Sequence, residues 1–140
     1  ESYLVYRQDK DEYSSLNNPH KNNSGITRAF KAFANSYAGL RFAIHEESAF
    51  RQELLLVVIM LPITFWLPAS SSQKLLMIGS LLLILITELL NSSIEAAIDR
   101  ISFEQHGLSK RAKDYGSAAV FLSLIFSAIV YITVIYQIMF

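Results

Sequence analysis

The 140-residue chain contains no cysteine and carries no net charge. Without cysteine it has no disulfide framework, no thiolate chemistry and no cysteine-bound zinc. Its 12 basic residues balance its 12 acidic residues, and we expect no nucleic-acid partner. Its five glycines do not form the phosphate-binding loop G-x-x-x-x-G-K-[ST], and a protein-kinase signature is absent. The N-terminus lacks a charged segment followed by an apolar one, so we expect no cleavable signal peptide.

Apolar residues make up 52% of the chain and gather in long runs, which is typical of a small integral membrane protein. A membrane-spanning helix needs about 20 mainly apolar residues. The runs predict spans at about 48–68, 74–100 and 115–139, with a polar loop at 102–113. We therefore expect an all-α membrane protein. Because three helices leave little interior in which to hide polar groups, we also expect the subunits to associate.

Polar residues form one stripe on the second predicted span. Its members are spaced i, i+3, i+7 and i+11, within an arc of about 80° on a helix; they are Glu88, Asn91, Glu95 and Asp99. A carboxylate in lipid costs about 2.5–3.5 kcal/mol even on a lenient insertion scale, so intramembrane acids usually face a bundle interior and serve a function. The stripe predicts a cation site. The alternative is that Glu95 and Asp99 belong only to the solvated end of the helix.

A helical period also precedes the first span. Apolar residues recur at three- and four-residue steps over residues 25–46, and basic residues lie on the opposite face. This pattern predicts an amphipathic helix in the membrane interface, with Ser24 as its N-cap. Residues 1–23 are polar, and we interpret them as a disordered tail or an expression remnant outside a single membrane domain at 24–140.

Two acids lie where the predicted surface helix meets the first span. Glu47 and Glu53 are six residues apart, so on one continuous helix they would point about 120° apart. They can serve one site only if the chain bends between them or if two subunits contribute.

Basic residues are distributed unevenly around the spans. They cluster before the first span and between the second and third, whereas only Lys74 borders the opposite side. The positive-inside rule therefore predicts a cytoplasmic N-terminus and an external C-terminus. With this topology the acidic stripe, Glu47 and Glu53 lie at the face of the membrane where ATP is present.

This combination of charges suits phosphoryl transfer, which requires mainly positioning and charge stabilisation. Carboxylates bind Mg²⁺ that keeps nucleotide phosphates among its ligands. Basic side chains neutralise phosphates; those near the stripe are Arg28, Arg100, Arg111 and Lys113. Glu88 lies deepest in the membrane and would suit a base acting on a lipid hydroxyl.

Two other functions compete with phosphoryl transfer. A non-enzymatic ion pathway would be polar throughout, but residues 75–87 of the second span contain no acid. A helical assembly module without chemistry would not explain why acidic and basic groups gather on one side of the membrane.

Three segments resemble the small bacterial membrane diacylglycerol kinases. They are Glu47-Ser-Ala-Phe-Arg-Gln-Glu53, Glu88-Leu-Leu-Asn-Ser-Ser-Ile-Glu95-Ala-Ala-Ile-Asp99-Arg100 and Arg111-Ala-Lys113-Asp114-Tyr-Gly-Ser. The resemblance extends from about Ser24 to Phe140 without obvious gaps. The pattern E-x-x-N-S-x-x-E-x-x-x-D-R followed by R-A-K-D is specific to this family.

The resemblance implies a helical-bundle homotrimer in the bacterial inner membrane, with a surface helix and three spans per subunit and with active sites shared between neighbours. It implies transfer of the γ-phosphoryl group of Mg-ATP to diacylglycerol, giving phosphatidate. By position, Glu47 and Glu95 would hold Mg²⁺, Glu88 would be the catalytic base and Glu53 would support the site. The residues implied to bind the nucleotide or its phosphates are Arg28, Asn91, Asp99, Glu104, His106, Lys113 and Asp114.

The chain departs from the family pattern in two places. Residues 1–20 match nothing in the family, and Glu46 adds a charge beside Glu47, which leaves open which acid reaches the metal. A sister group with the same motif phosphorylates undecaprenol. The stretch from Arg100 through Lys113 is more similar to the diacylglycerol branch, but both lipids present a primary hydroxyl, so an undecaprenol kinase stays the alternative.

Overall fold

The computed structural model describes residues 25–140, so the predicted tail at 1–23 and the predicted N-cap Ser24 lie outside the described residues. The described chain is all-helical, as predicted. It consists of α1 (Gly25–Glu46), α2 (Ser48–Trp66), α3 (Ser71–Ile101) and α4 (Gly107–Met139). The helix at 25–46 is confirmed, whereas its interfacial position and the homotrimer stay predictions.

The chain divides into two compact units after Leu40. The described part of the first unit, residues 25–40, is continuous α-helix. The second unit, Arg41–Phe140, contains the end of α1 and all of the other helices. Among residues 25–140, α2, α3 and α4 are each long and apolar enough to cross a membrane, which supports a multi-pass membrane protein.

Local chemistry sets the ends of α2 and α3. Leu67 is extended, with φ −61° and ψ 140°, because the residue before Pro68 is pushed out of the helical region. The α2 helix therefore ends slightly before the predicted residue 68. The α3 helix begins earlier than predicted because Ser70 and Gln73 form a capping box, with bonds of 2.8 and 3.2 Å.

The predicted loop at 102–113 is wrong over its second half, because α4 begins at Gly107. The His106 side chain caps this helix by accepting a hydrogen bond from the Leu108 amide at 3.2 Å. Lys110 and Asp114 then form an ion pair of 2.6 Å one turn apart. The polar residues thus continue the helix beyond its apolar run.

Helices α3 and α4 form an antiparallel hairpin with paired polar side chains. Gln73 donates to Gln137 at 2.8 Å, while Ser80 and Ser127 lie 3.0 Å apart and Thr87 and Ser123 2.9 Å apart. The buried core lies beside these pairs and consists of Val57, Met77, Leu81, Ile84, Val130, Tyr131 and Val134. The hairpin register fixes which α4 residues face the acidic stripe.

Candidate active site

The acidic stripe lies on α3 just beyond the hydrophobic core. Glu88 and Asn91 are buried, with 4% and 9% of their surface exposed, and Glu95 is half-buried. The Asn91 Nδ2 donates to Glu95 Oε1 at 3.4 Å. Glu88 and Asn91 are shielded from solvent, whereas Glu95 and Asp99, the two residues of the alternative interpretation, are half-buried.

Two buried oxygens of this region have no hydrogen-bond partner within residues 25–140. They are Asn91 Oδ1 and Glu53 Oε2. Most buried polar atoms are paired, and an unpaired one costs about 1–3 kcal/mol. Both oxygens are acceptors, so a cation or a hydroxyl donor would satisfy them.

The chain breaks its helix at Glu47, between α1 and α2. This residue is extended, with φ −98° and ψ 108°, and its side chain makes no capping bond. The Arg51 guanidinium donates to two carbonyls at the end of α1, Ile44 O at 3.2 Å and His45 O at 2.8 Å. Arginine at this point satisfies carbonyls that the ending helix leaves free, and so it holds the break.

The break separates Glu46, the last residue of α1, from Glu47, which precedes α2. Glu47 is half-buried, whereas Glu46 is exposed. This difference in burial favours Glu47 over Glu46 as the acid that the resemblance assigns to the metal, and the assignment stays a prediction.

A cavity lies at the end of the hairpin, where α3 passes into α4. Its volume is about 580 Å³. Asp99 and Lys113 form an ion pair of 2.6 Å in its wall. Its lining contains five of the residues implied to bind nucleotide, namely Asp99, Glu104, His106, Lys113 and Asp114. The loop in this wall is held locally, since the Glu104 amide donates to Ser102 Oγ at 2.9 Å.

The residues that the family resemblance implies to bind nucleotide or phosphate thus fall into two groups along α3. Asn91 hydrogen-bonds to Glu95, while Lys113 pairs with Asp99 about one turn beyond Glu95 on α3. Arg28 lies in the unit that ends at Leu40, and its nucleotide role stays a prediction.

The sequence analysis did not predict the roles of two residues in this region. One is Arg51, which has no structural role in that analysis but holds the break at Glu47. Gly116 is buried, and a Cβ built on it would overlap the Asn91 amide. The small residues at the start of the third span were the available signal, because small residues allow close helix packing.

The fold defines a multi-pass membrane protein, and its site buries the Glu88 side chain between membrane-spanning helices. The family model described as prokaryotic diacylglycerol kinase matches residues 34–135. The chain belongs to this family, which confirms the resemblance seen in its motifs.

Curated relatives agree with this assignment. The diacylglycerol kinase of Pseudomonas aeruginosa is 46% identical over 117 residues, covering 84% of this chain and 95% of the relative. That of Escherichia coli strain K12 is 47% identical over 108 residues, covering 77% and 88%. That of Haemophilus influenzae is 44% identical over 108 residues, covering 77% and 92%.

Proposed function

We propose that this protein is a lipid kinase that transfers the γ-phosphoryl group of ATP to diacylglycerol and so makes phosphatidate. The position of two acids on one helix supports this function. A single helix, α3, carries the buried acid Glu88 among the spans and, about 16 Å further along at 1.5 Å per residue, Asp99 in the wall of the loop cavity. A lipid hydroxyl can approach the first group from the membrane and a nucleotide can approach the second from water.

The nucleotide occupies the cavity at the α3–α4 junction. Lys113 neutralises phosphate charge there, and Asp99 holds the lysine ammonium in place through their 2.6 Å ion pair. Lys110 and Asp114 form a similar pair on the outer turn of the same helix. Glu104 and His106 line the cavity and are available to the adenosine part.

Glu88 is the base for the lipid hydroxyl. The carboxylate accepts the hydroxyl proton as the oxygen attacks the γ-phosphorus, and the bond from that phosphorus to the β-phosphate oxygen breaks. Because Glu88 is buried, water has little access to compete with the lipid for the phosphoryl group.

The donor set of the site fits Mg²⁺ held together with the nucleotide. Mg²⁺ commonly uses one or two carboxylates, with waters and phosphates as its other ligands. Glu47 and Glu95 would supply the carboxylates, and the unpaired Asn91 Oδ1 adds a nearby acceptor. Within residues 25–140 of one chain, no three His, Asp or Glu side chains form a metal-binding group. Bound Mg²⁺ neutralises charge that develops on the phosphate oxygens.

The active form is a homotrimer whose sites lie between neighbouring subunits. Glu47 and Glu95, which are only half-buried in one chain, support this arrangement, because a second chain can cover them. The N-terminus and the α3–α4 junction face the cytoplasm of a bacterium, where ATP is present. The basic residues around the junction support this orientation.

The function is tested by ATP-dependent incorporation of phosphate into lipid in mixed micelles, with diacylglycerol and undecaprenol supplied separately. We expect phosphatidate from diacylglycerol and a much slower reaction with undecaprenol. Faster phosphorylation of undecaprenol would assign the protein to the polyprenol branch. Failure of both lipids to accept phosphate would contradict the proposed kinase activity.

The shared site is tested by subunit mixing. Glu47→Gln and Glu95→Gln chains, each inactive alone, are unfolded, mixed and refolded together in excess detergent. If the two acids of one site come from different subunits, some mixed trimers contain a site with both acids intact, and activity returns. If both acids come from the same chain, every site keeps one defect, and no mixing ratio restores activity.

A further inference from the structure

Gly116 on α4 lies directly against the Asn91 amide on α3. Both residues are buried. A Cβ built on Gly116 would overlap Asn91 Oδ1 and would lie 3.2 Å from Asn91 Cγ, but it would lie 3.6 Å from Asn91 Cα. The last distance is an ordinary van der Waals contact, so the two backbones leave room for a methyl group and the amide does not.

The overlap therefore concerns the end of one side chain. A methyl group at Gly116 can be accommodated if the Asn91 amide rotates away, and the helices need not separate. Rotation would break the 3.4 Å hydrogen bond from Asn91 Nδ2 to Glu95 Oε1. It would also turn the unpaired Oδ1 away from its present position one turn from Glu88.

We infer that Gly116 is a positioning residue for the phosphoryl-transfer site. Its missing side chain provides the space in which the Asn91 amide is held between Gly116 and Glu95. This inference rests on the proposed kinase function for its effect on turnover, and on geometry alone for the contact. Displacement of a reacting group by about 1 Å can lower a rate by about a hundredfold.

The chain offers a matched control in Gly79. This glycine lies within α3 and is exposed, and a Cβ built on it meets no atom within 4 Å. Gly116→Ala and Gly79→Ala make the same chemical change in a helix and carry the same gain in helix propensity. They differ in burial and in whether the added methyl group meets the Asn91 amide.

The first experiment compares kcat, KM and thermal unfolding of the two variants with wild type in mixed micelles. For Gly116→Ala we expect kcat to fall about a hundredfold, while KM for ATP and for diacylglycerol and the melting temperature stay near those of Gly79→Ala. Wild-type kcat in Gly116→Ala would overturn the inference. So would a loss of activity that only follows a loss of folded protein.

The second experiment does not depend on activity. Side-chain amide resonances are recorded on protein labelled with ¹⁵N-asparagine, and Asn91 is assigned from the signal lost in Asn91→Ala. We expect the Asn91 signal to shift in Gly116→Ala and to stay unchanged in Gly79→Ala. An unchanged signal in both variants would overturn the inference. If wild type phosphorylates no lipid, the proposed function fails, and this spectrum still decides whether Gly116 positions the amide.

A double variant covers the case in which Gly116→Ala does not fold. Asn91→Ala removes the atoms that the new methyl group would overlap, so Asn91→Ala/Gly116→Ala should fold like Asn91→Ala alone. Failure of the double variant to fold would show that Gly116 acts through the backbone and would contradict the inference.

Discussion

In the half of the α3–α4 hairpin that contains Ser80 and Ser127, the buried hydroxyls hydrogen-bond to each other, and Ser80 also donates to Met77 O at 2.7 Å. In the half that contains Asn91, a buried oxygen has no partner within residues 25–140. We call these the packed half and the acidic half. Both belong to the same two helices, so helix formation alone does not explain the difference.

The two halves of the hairpin differ in how favourable their buried interactions are for folding. The packed half combines apolar contacts with satisfied hydroxyls, which is how membrane helices usually associate. The acidic half buries the Glu88 side chain and leaves the buried Asn91 Oδ1 without a partner among residues 25–140, and both are unfavourable for folding. Conflicts of this kind between local structure and stability are expected at functional sites.

The largest expected effect comes from neutralising the base in the acidic half. Glu88→Gln keeps the shape of the side chain but removes the proton acceptor, and we expect kcat to fall by about 10³-fold, or about 4 kcal/mol in the barrier. Resistance to unfolding should stay equal or increase, because a buried carboxylate is replaced by a neutral amide. Phosphatidate formation and detergent unfolding measured on the same preparation provide the check. Near-normal turnover in this variant would remove Glu88 from its proposed role.

A smaller effect is expected from the helix break at Glu47, the residue that we propose as a metal ligand. Arg51 Nη1 donates both bonds, to Ile44 O and His45 O. In Arg51→Lys the charge is kept, but the lysine side chain ends one bond earlier and lacks the planar guanidinium, so we expect the bonds to the two carbonyls to weaken. We expect kcat/KM to fall about tenfold, or about 1.4 kcal/mol, because Glu47 is held less firmly. Arg41→Lys is a suitable control, since Arg41 is an exposed arginine nearby on α1. Equal activity of the two variants would mean that the paired carbonyls do not position Glu47.

The smallest effect is expected in the packed half. Ser127→Ala removes one hydroxyl of the Ser80 pair, but Ser80 keeps its 2.7 Å bond to Met77 O. Interhelical hydrogen bonds in membranes contribute about 0.6 kcal/mol on average, so we expect a loss of that size in unfolding free energy. Turnover per folded protein should not change, as kinetic assay and unfolding titration can establish. A large loss of turnover here would end the distinction between the two halves.

The family resemblance and the spans were accessible from the sequence because they depend on residues close together in the chain. Hydropathy over about 20 residues sets a span, and the spacing from Glu88 to Asp99 places a stripe on one helix face. The prediction failed at 107–113, where polar composition suggested a loop. Local capping by His106 and the Lys110–Asp114 pair instead start α4 there.

By itself, the sequence determined the all-α class, the three apolar spans and the order of acids along α3. Only the tertiary structure decided that Arg51 holds the break at Glu47, that Lys113 pairs with Asp99, and that Gly116 lies against Asn91. The physical reason is that periodicity and hydropathy act within one helix. Contacts between helices depend on register and rotation, and a shift of one residue turns a helix face by about 100°.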